Sequence, residues 1–196
     1  MNKAAFLDRD GVINRKAPNE DEYIVSWEDM EMLPGVAKAI TLLNRAGFLV
    51  IVVSNQRSVA KGLITDEELS LMHKQMCEEL ARAGATIHGV YYCPHELEPP
   101  CDCRKPQPGL LLQAARTYDI DLSASWMIGD SDKDVEAGKA AGCRTVRVLR
   151  SHEAENRTAD GVARSLLDAT YQILKRGESI SNRSAALTVH DRSCAY

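Results

Sequence analysis

The chain lacks any apolar run that could cross a bilayer. Its longest, Phe48-Leu49-Val50-Ile51-Val52-Val53, is far shorter than the about 20 residues a spanning helix needs. It lacks a leader-like start as well. The run from Met1 turns acidic at Asp8 before an apolar stretch can build, so a cytoplasmic location is expected. Nor is there an excess of positive charge. Lys and Arg number 24 against 28 Asp and Glu, a net charge of −4, so no global field draws the chain to nucleic acid or to an anionic membrane. No internal repeat or low-complexity segment is evident. What remains is the composition of an ordinary globular domain: 196 residues, 44% hydrophobic and 27% charged, enough for one substantial core. Cysteine is the exception. There are six, three of them between residues 93 and 103.

Short apolar runs alternate with segments of helical period. Ala4–Leu7, Phe48–Val53, Val90–Tyr92, Ser125–Ile128 and Thr145–Leu149 read as strands. The continuous β-branched run at 48–53 predicts a strand buried on both faces. Pro34–Ala46 is predicted helical, with Pro34 in its first turn and Gly47 at its stop. Thr65-Asp66-Glu67-Glu68 is a capping box opening a second helix through Leu80. Pro108–Tyr118 and Asp132–Ala141 follow as helices, and a last one is expected around Val162–Leu174. This order predicts an α/β fold, a parallel sheet with helices on both faces. In such sheets ligands bind beyond the carboxyl ends of the strands.

The residues at those ends are polar. Asp8-Arg9-Asp10-Gly11 follows the first strand. One aspartate of such a pair can attack phosphorus, and the other can protonate the leaving oxygen and then deprotonate water. A plain Asp-Gly turn is the competing reading. Ser54-Asn55-Gln56 follows the second strand and offers a hydroxyl and backbone N–H groups to a phosphate oxygen, or simply caps the loop. Gly129-Asp130-Ser131-Asp132-Lys133-Asp134 can complete a Mg²⁺ site with Asp8 while capping a helix. Arg104 and Lys105 precede a helix start, where a fixed cation would offset phosphoryl charge. Cys93, His95, Cys101 and Cys103 form a C-x-H-x5-C-x-C set that matches the Cys₃His donors of structural zinc. A disulfide would leave one of the three thiols over. Cys77, Cys143 and Cys194 read as ordinary thiols, and His73, His88, His152 and His190 as surface or capping residues.

Set and order together resemble the haloacid dehalogenase-like phosphohydrolases over residues 3 to about 150. The resemblance implies a three-layer Rossmann-like core without a cap domain, carrying a zinc-binding loop. It makes Asp8 the nucleophile and Asp10 the general acid/base, with Ser54 and Lys105 on the phosphoryl group. Mg²⁺ would be held by Asp8, the Asp10 backbone carbonyl and Asp130, with Asp134 in support. Arg9, Asn55, Gln56, Arg57 and Arg104 are assigned to substrate binding.

Cys-Pro-His followed by Cys-Asp-Cys-Arg-Lys-Pro is similar to the heptose-bisphosphate phosphatases and the histidinol-phosphatase domain of the same subgroup. The implied substrate is D-glycero-D-manno-heptose 1,7-bisphosphate. Histidinol phosphate comes second, with Glu20, Asp21 and Glu22 available to its cations. A DNA 3′-phosphatase and a non-enzymatic zinc-stapled binding module stand further off. Arg57 and Ser58 stand where the heptose family usually has Ser and Gly, departures that either add a cation for a second phosphate or signal a different substrate. Lys16, Asn19, Tyr23 and Trp27 lie on the first loop able to touch substrate, with Trp27 expected to pack on the sheet edge. The expected organisation is a catalytic domain over 1–176 and a loose tail over 177–196. A small phosphorylated metabolite is the expected partner of a monomer, with no nucleic acid or membrane.

Overall fold

The computed structural model describes residues 1–19, 22–149 and 158–176; the tail expected over 177–196, Glu20, Asp21, His152, His190 and Cys194 lie outside them. The strands are β1 (Lys3–Leu7), β2 (Phe48–Asn55), β3 (Gly89–Cys93), β4 (Trp126–Gly129), β5 (Arg144–Val148) and β6 (Gly161–Ala163). They form one parallel sheet in the order β3-β2-β1-β4-β5-β6. The helices are α1 (Val36–Arg45), α2 (Asp66–Arg82), α3 (Gly109–Tyr118) and α4 (Asp132–Ala141), then α5 over 166–176.

Two apolar clusters explain the three layers. Alternate strand residues point to opposite faces, and both faces of β1 and β2 are buried. Ala5, Leu7, Val50 and Val52 pack under α1, α2 and α5, through Ile40, Leu43, Leu69, Met76, Ala169 and Ile173. Ala4, Phe6, Ile51 and Val53 pack on the other face against Leu110, Leu111, Ala114 and Ala137 of α3 and α4. The capping box at the start of α2 is formed, with Glu68 N donating to Thr65 Oγ1 (3.1 Å) and Thr65 N to Glu68 Oε2 (2.8 Å).

The sixth strand departs from the sequence reading, which expected a single helix from around Val162. Gly161–Ala163 instead extends the sheet beside β5, and α5 begins later with Ser165 Oγ accepting from Asp168 N (3.1 Å). A three-residue strand is too short for a period of two to register.

Parallel register sets the strand ends level. Leu7 pairs with Val52 on one side and Ile128 on the other, so the residues just beyond (Asp8, Ser54 and Asp130) emerge on one edge. Between β1 and β4 the strand order reverses direction, the crevice where open α/β sheets bind ligands.

Gly138 of α4 shows how closely the layers approach. A Cβ there would lie 2.6 Å from Met127 Cβ and 2.8 Å from Thr145 Cγ2. Helix propensity favours alanine by about 1 kcal/mol, but overpacking a tight core costs about 1–3 kcal/mol. Gly138→Ala is expected to lower the midpoint of thermal unfolding. An unchanged or higher midpoint would mean that β4 and β5 yield.

Candidate active site

Lys105 and Asp8, 97 positions apart in the chain, meet at the sheet edge. The Lys105 ammonium donates to Asp8 Oδ1 (2.8 Å) and to the Val53 carbonyl (2.8 Å), and pairs with Asp134 Oδ1 (2.6 Å). The lysine is only 3% exposed. Asn55 fixes its backbone from both sides: Asn55 Oδ1 accepts from Lys105 N and Asn55 Nδ2 donates to Lys105 O, each at 3.0 Å. Asp134 is placed by α4, where its Oδ2 accepts from Ser131 N (3.0 Å) and Ser131 Oγ (2.6 Å).

The turn after Asp8 separates the two aspartates. Gly11 takes φ +96°, a conformation that glycine adopts without strain, and Ile13 N and Asn14 N fold back onto the Arg9 carbonyl (2.8 and 3.1 Å). Asp10 is thereby turned to a different set of partners. Arg9 Nη2 lies 2.9 Å from its Oδ2, Asn14 Nδ2 2.9 Å from Oδ1, and Gln56 Nε2 2.9 Å from Oδ2. Burial alone would raise the Asp10 carboxyl. The Arg9 charge and the hydrogen bonds from Asn14, Arg9 and Gln56 outweigh it and hold Asp10 below its ordinary range.

Asp8 goes the other way. Burial pushes it up to about 7; Lys105 opposes this, while Asp134, Asp130 and Asp10 add to it. Asp8, Asp130 and Asp134 are all buried and offer oxygens within 4.8 Å of one another. Lys16 Nζ lies 3.6 Å from Asp130 Oδ2. Crowded buried carboxylates of this kind suit a hard divalent cation such as Mg²⁺. Gly11 leaves room for this packing: a Cβ there would lie 2.3 Å from Asp130 Oδ2.

The remaining expected site residues divide between this floor and its mouth. Ser54 is buried, its hydroxyl accepting from Gln56 Nε2 (2.7 Å). Arg9 lines the cleft of this site, 1% exposed with its guanidinium between Asp10 and His73. Asn55 and Gln56 likewise spend side-chain bonds on Lys105 and Asp10. Arg57 and Arg104 line the mouth of a cleft of about 650 Å³ that also contains Asp8, Asp10 and Lys105. Arg57 pairs with Glu96, and Arg104 Nη1 donates to His95 O (3.2 Å). Trp27 packs against the core, as expected.

Beside the mouth, Cys93, His95, Cys101 and Cys103 converge within 4.8 Å. Cys93 and Cys101 Sγ are 3.6 Å apart, Cys103 and Cys101 Sγ 3.5 Å, and His95 Nδ1 lies 3.2 Å from Cys103 Sγ. These cysteines are unbridged, and the spacings are far above a disulfide's about 2.05 Å. They approach the about 3.8 Å edge of a tetrahedron with 2.3 Å metal–sulfur bonds, so the donor set fits zinc. Cys143 is an ordinary buried thiol, pushed up to about 12 by burial.

Sequence and fold are similar to those of known proteins. A family model described as HAD-hydrolase-like matches residues 102–169. The D-glycero-beta-D-manno-heptose-1,7-bisphosphate 7-phosphatase of Rhodopseudomonas palustris is 44% identical over 146 residues, covering 71% of this chain and 79% of its own length. The enzyme of that name from Escherichia coli K12 is 38% identical over 185 residues, covering 88% and 94%. The chain belongs to the heptose-bisphosphate phosphatase family of haloacid dehalogenase-like hydrolases. The crystal structure of D,D-heptose 1,7-bisphosphate phosphatase from B. bronchiseptica, complexed with magnesium and phosphate, superposes with a TM-score of 0.79 at 32% identity, covering 89% of this chain and 99% of that one.

Two family-site neighbours escaped the sequence reading. His73, expected at the surface or in a cap, is 4% exposed and lies 3.1 Å through Nε2 from Arg9 Nη1. Burial and then the Arg9 charge lower its pKa to about 3, so it stays neutral and accepts from the guanidinium. Asn14, the second, binds Asp10. Only its spacing four residues after Asp10 in a tight turn could have signalled it.

The Gly11 contact gives a direct test. Gly11→Ala is expected to displace the Asp130 carboxylate and raise the Mg²⁺ concentration for half-maximal activity about tenfold or more. An unchanged Mg²⁺ requirement would separate Asp130 from the metal.

Proposed function

We propose that this phosphatase removes the 7-phosphate of D-glycero-D-manno-heptose 1,7-bisphosphate through an aspartyl-phosphate on Asp8. The observation that carries the reading is the buried Lys105 bridge between Asp8 and Asp134, with Asp130 alongside and Asp10 one turn away. It holds a nucleophile, an acid/base and a phosphoryl-binding cation at one strand end. The names of the relatives supply the substrate.

In this reading Asp8 attacks phosphorus in line, and the bond from phosphorus to the sugar oxygen breaks. Asp10 gives the leaving oxygen a proton. Because Asp10 is ionised at rest, the proton enters with the ester's own monoanion, whose second pKa is about 6. Asp10 then takes a proton from water, whose oxygen attacks phosphorus and breaks its bond to the Asp8 carboxylate, and Asp10 passes that proton on to the departing inorganic phosphate. Lys105 and Ser54 hold the phosphoryl oxygens throughout. Mg²⁺ bound by Asp8, the Asp10 carbonyl and Asp130 would neutralise charge on nucleophile and phosphoryl group. Zinc on Cys93, His95, Cys101 and Cys103 would be structural, steadying Arg104 and Lys105. Arg57 and Arg104 would meet the second phosphate. Arg9 would act through Asp10 rather than on substrate.

The reading takes residues 1–176 as one catalytic domain of a cytoplasmic monomer whose partner is a small phosphorylated metabolite. Among the described residues, no helix is long and apolar enough to cross a membrane.

Asp8→Asn is expected to lower kcat about a thousandfold or more; wild-type turnover would end the aspartyl-phosphate reading. Heptose bisphosphate is expected to give a higher kcat/KM than histidinol phosphate in the same assay, and the opposite order would replace the substrate. Stripping all metal and resupplying only Mg²⁺ is expected to leave activity depressed until zinc is added. Full recovery on Mg²⁺ alone would remove any role for the cysteine cluster.

A further inference from the structure

At the mouth of the cleft Arg57, on the loop after β2, does not stand open. Its guanidinium is paired with Glu96, on the loop that carries the cysteine cluster. The two side chains are 29% and 38% exposed, so the pair sits in water at the rim rather than in the packed floor. Glu96 Oε1 also accepts from Leu97 N (2.9 Å), which holds the carboxylate on its own loop. Arg57 lines the same cleft as Asp8 and Lys105, whereas Glu96 approaches it from outside.

Exposed ion pairs of this kind are weak, worth less than about fivefold in an equilibrium. A phosphate dianion carries twice the charge of a carboxylate and binds a guanidinium in a two-pronged geometry. The pair is therefore a weak competitor: a phosphate dianion at the rim outcompetes Glu96 more readily than a neutral hydroxyl or a single carboxylate does.

We infer that Glu96 is a stand-in anion, occupying Arg57 until a second phosphate of the substrate, remote from the one being cleaved, displaces it. Glu96 then tunes how tightly the rim takes a second phosphate, and touches neither the reacting phosphorus nor the metal. It sets a threshold on Arg57 that an anion must exceed to occupy it. The inference rests on the sugar-bisphosphate reading of the cleft.

The test compares Glu96→Gln with the wild type on a sugar bisphosphate and on the sugar monophosphate lacking the remote phosphate. The ratio of monophosphate KM to bisphosphate KM is expected to rise about two- to fivefold, because Arg57 no longer has to be vacated. Glu96→Asp, which keeps the charge, is expected to hold the ratio near the wild-type value. In an Arg57→Gln background, Glu96→Gln is expected to change the ratio no further. A parallel rise in both KM values would make the pair a brace for the loop and overturn the inference, as would an unmoved ratio. Zinc content is measured on each variant, because Glu96 adjoins His95. The same ratio read as inhibition constants for fructose 1,6-bisphosphate and fructose 6-phosphate, against hydrolysis of p-nitrophenyl phosphate, decides the role of Glu96 even if heptose bisphosphate is not turned over. Failure of the substrate reading shows in the wild type alone, and failure of the inference shows in the difference between variants.

Discussion

A single ammonium group ties the sheet edge to the chemistry. Burying a charge is costly unless it is fully paired, and Lys105 meets that condition through groups from separate elements. Asp8 follows β1, the Val53 carbonyl belongs to β2 and Asp134 to α4. Burial alone would make the lysine easier to deprotonate; Asp134 and Asp8 overcome this and keep it charged. Parallel pairing brings the strand ends level, and the lysine fixes how they are used. In the proposed reaction it would place positive charge beside the transferring phosphoryl group without reorganisation.

The same turn drives its two aspartates apart in character. Asp8 sits among Asp130, Asp134 and the Lys105 ammonium and is pushed up to about 7, chiefly by burial. Asp10, two residues on, is held down by the Arg9 charge and its hydrogen bonds. A divalent cation held by Asp8 would reverse its upward shift and keep it ionised for attack, while the Asp10 side is already balanced by Arg9. Arg9 and its neutral acceptor His73 complete that balance from below. Helix α2 therefore influences the acid/base through a hydrogen bond, without approaching the substrate.

Much of this was legible in the sequence, and the omissions share a cause. Strand ends carrying Asp8, Ser54 and Asp130 could be read because a buried parallel strand is a continuous apolar run and its ligands follow it. The cysteine cluster could be read because its donors lie close in sequence. The partners of Arg9, Asn55 and Gln56 could not. Each side chain has a polar end that suits substrate or protein equally well, and the choice depends on a residue 46 to 64 positions away for Gln56, Asn55 and Arg9. His73 was hidden in the same way: it lies on the buried face of α2 with Leu69, Met72 and Met76, and its partner comes from β1's loop. Strand β6 failed for a local reason, being too short to show a period.

Among the described residues no cap domain covers the cleft, and the division between floor and rim follows from that. Short loops border it there, and short loops need fixing from outside the core. The cysteine loop is fixed at its far end by α3: Gly109 N donates to Asp102 O (3.0 Å), and a Cβ on Gly109 would lie 2.2 Å from that oxygen. A metal closing the ring on Cys103 would leave only Arg104 before Lys105. Any slack in that loop would therefore reach the buried ammonium within two residues. The cysteine cluster and the buried lysine are thus mechanically one unit, and Arg104 at the mouth of the cleft hangs from the same loop as Lys105 on its floor.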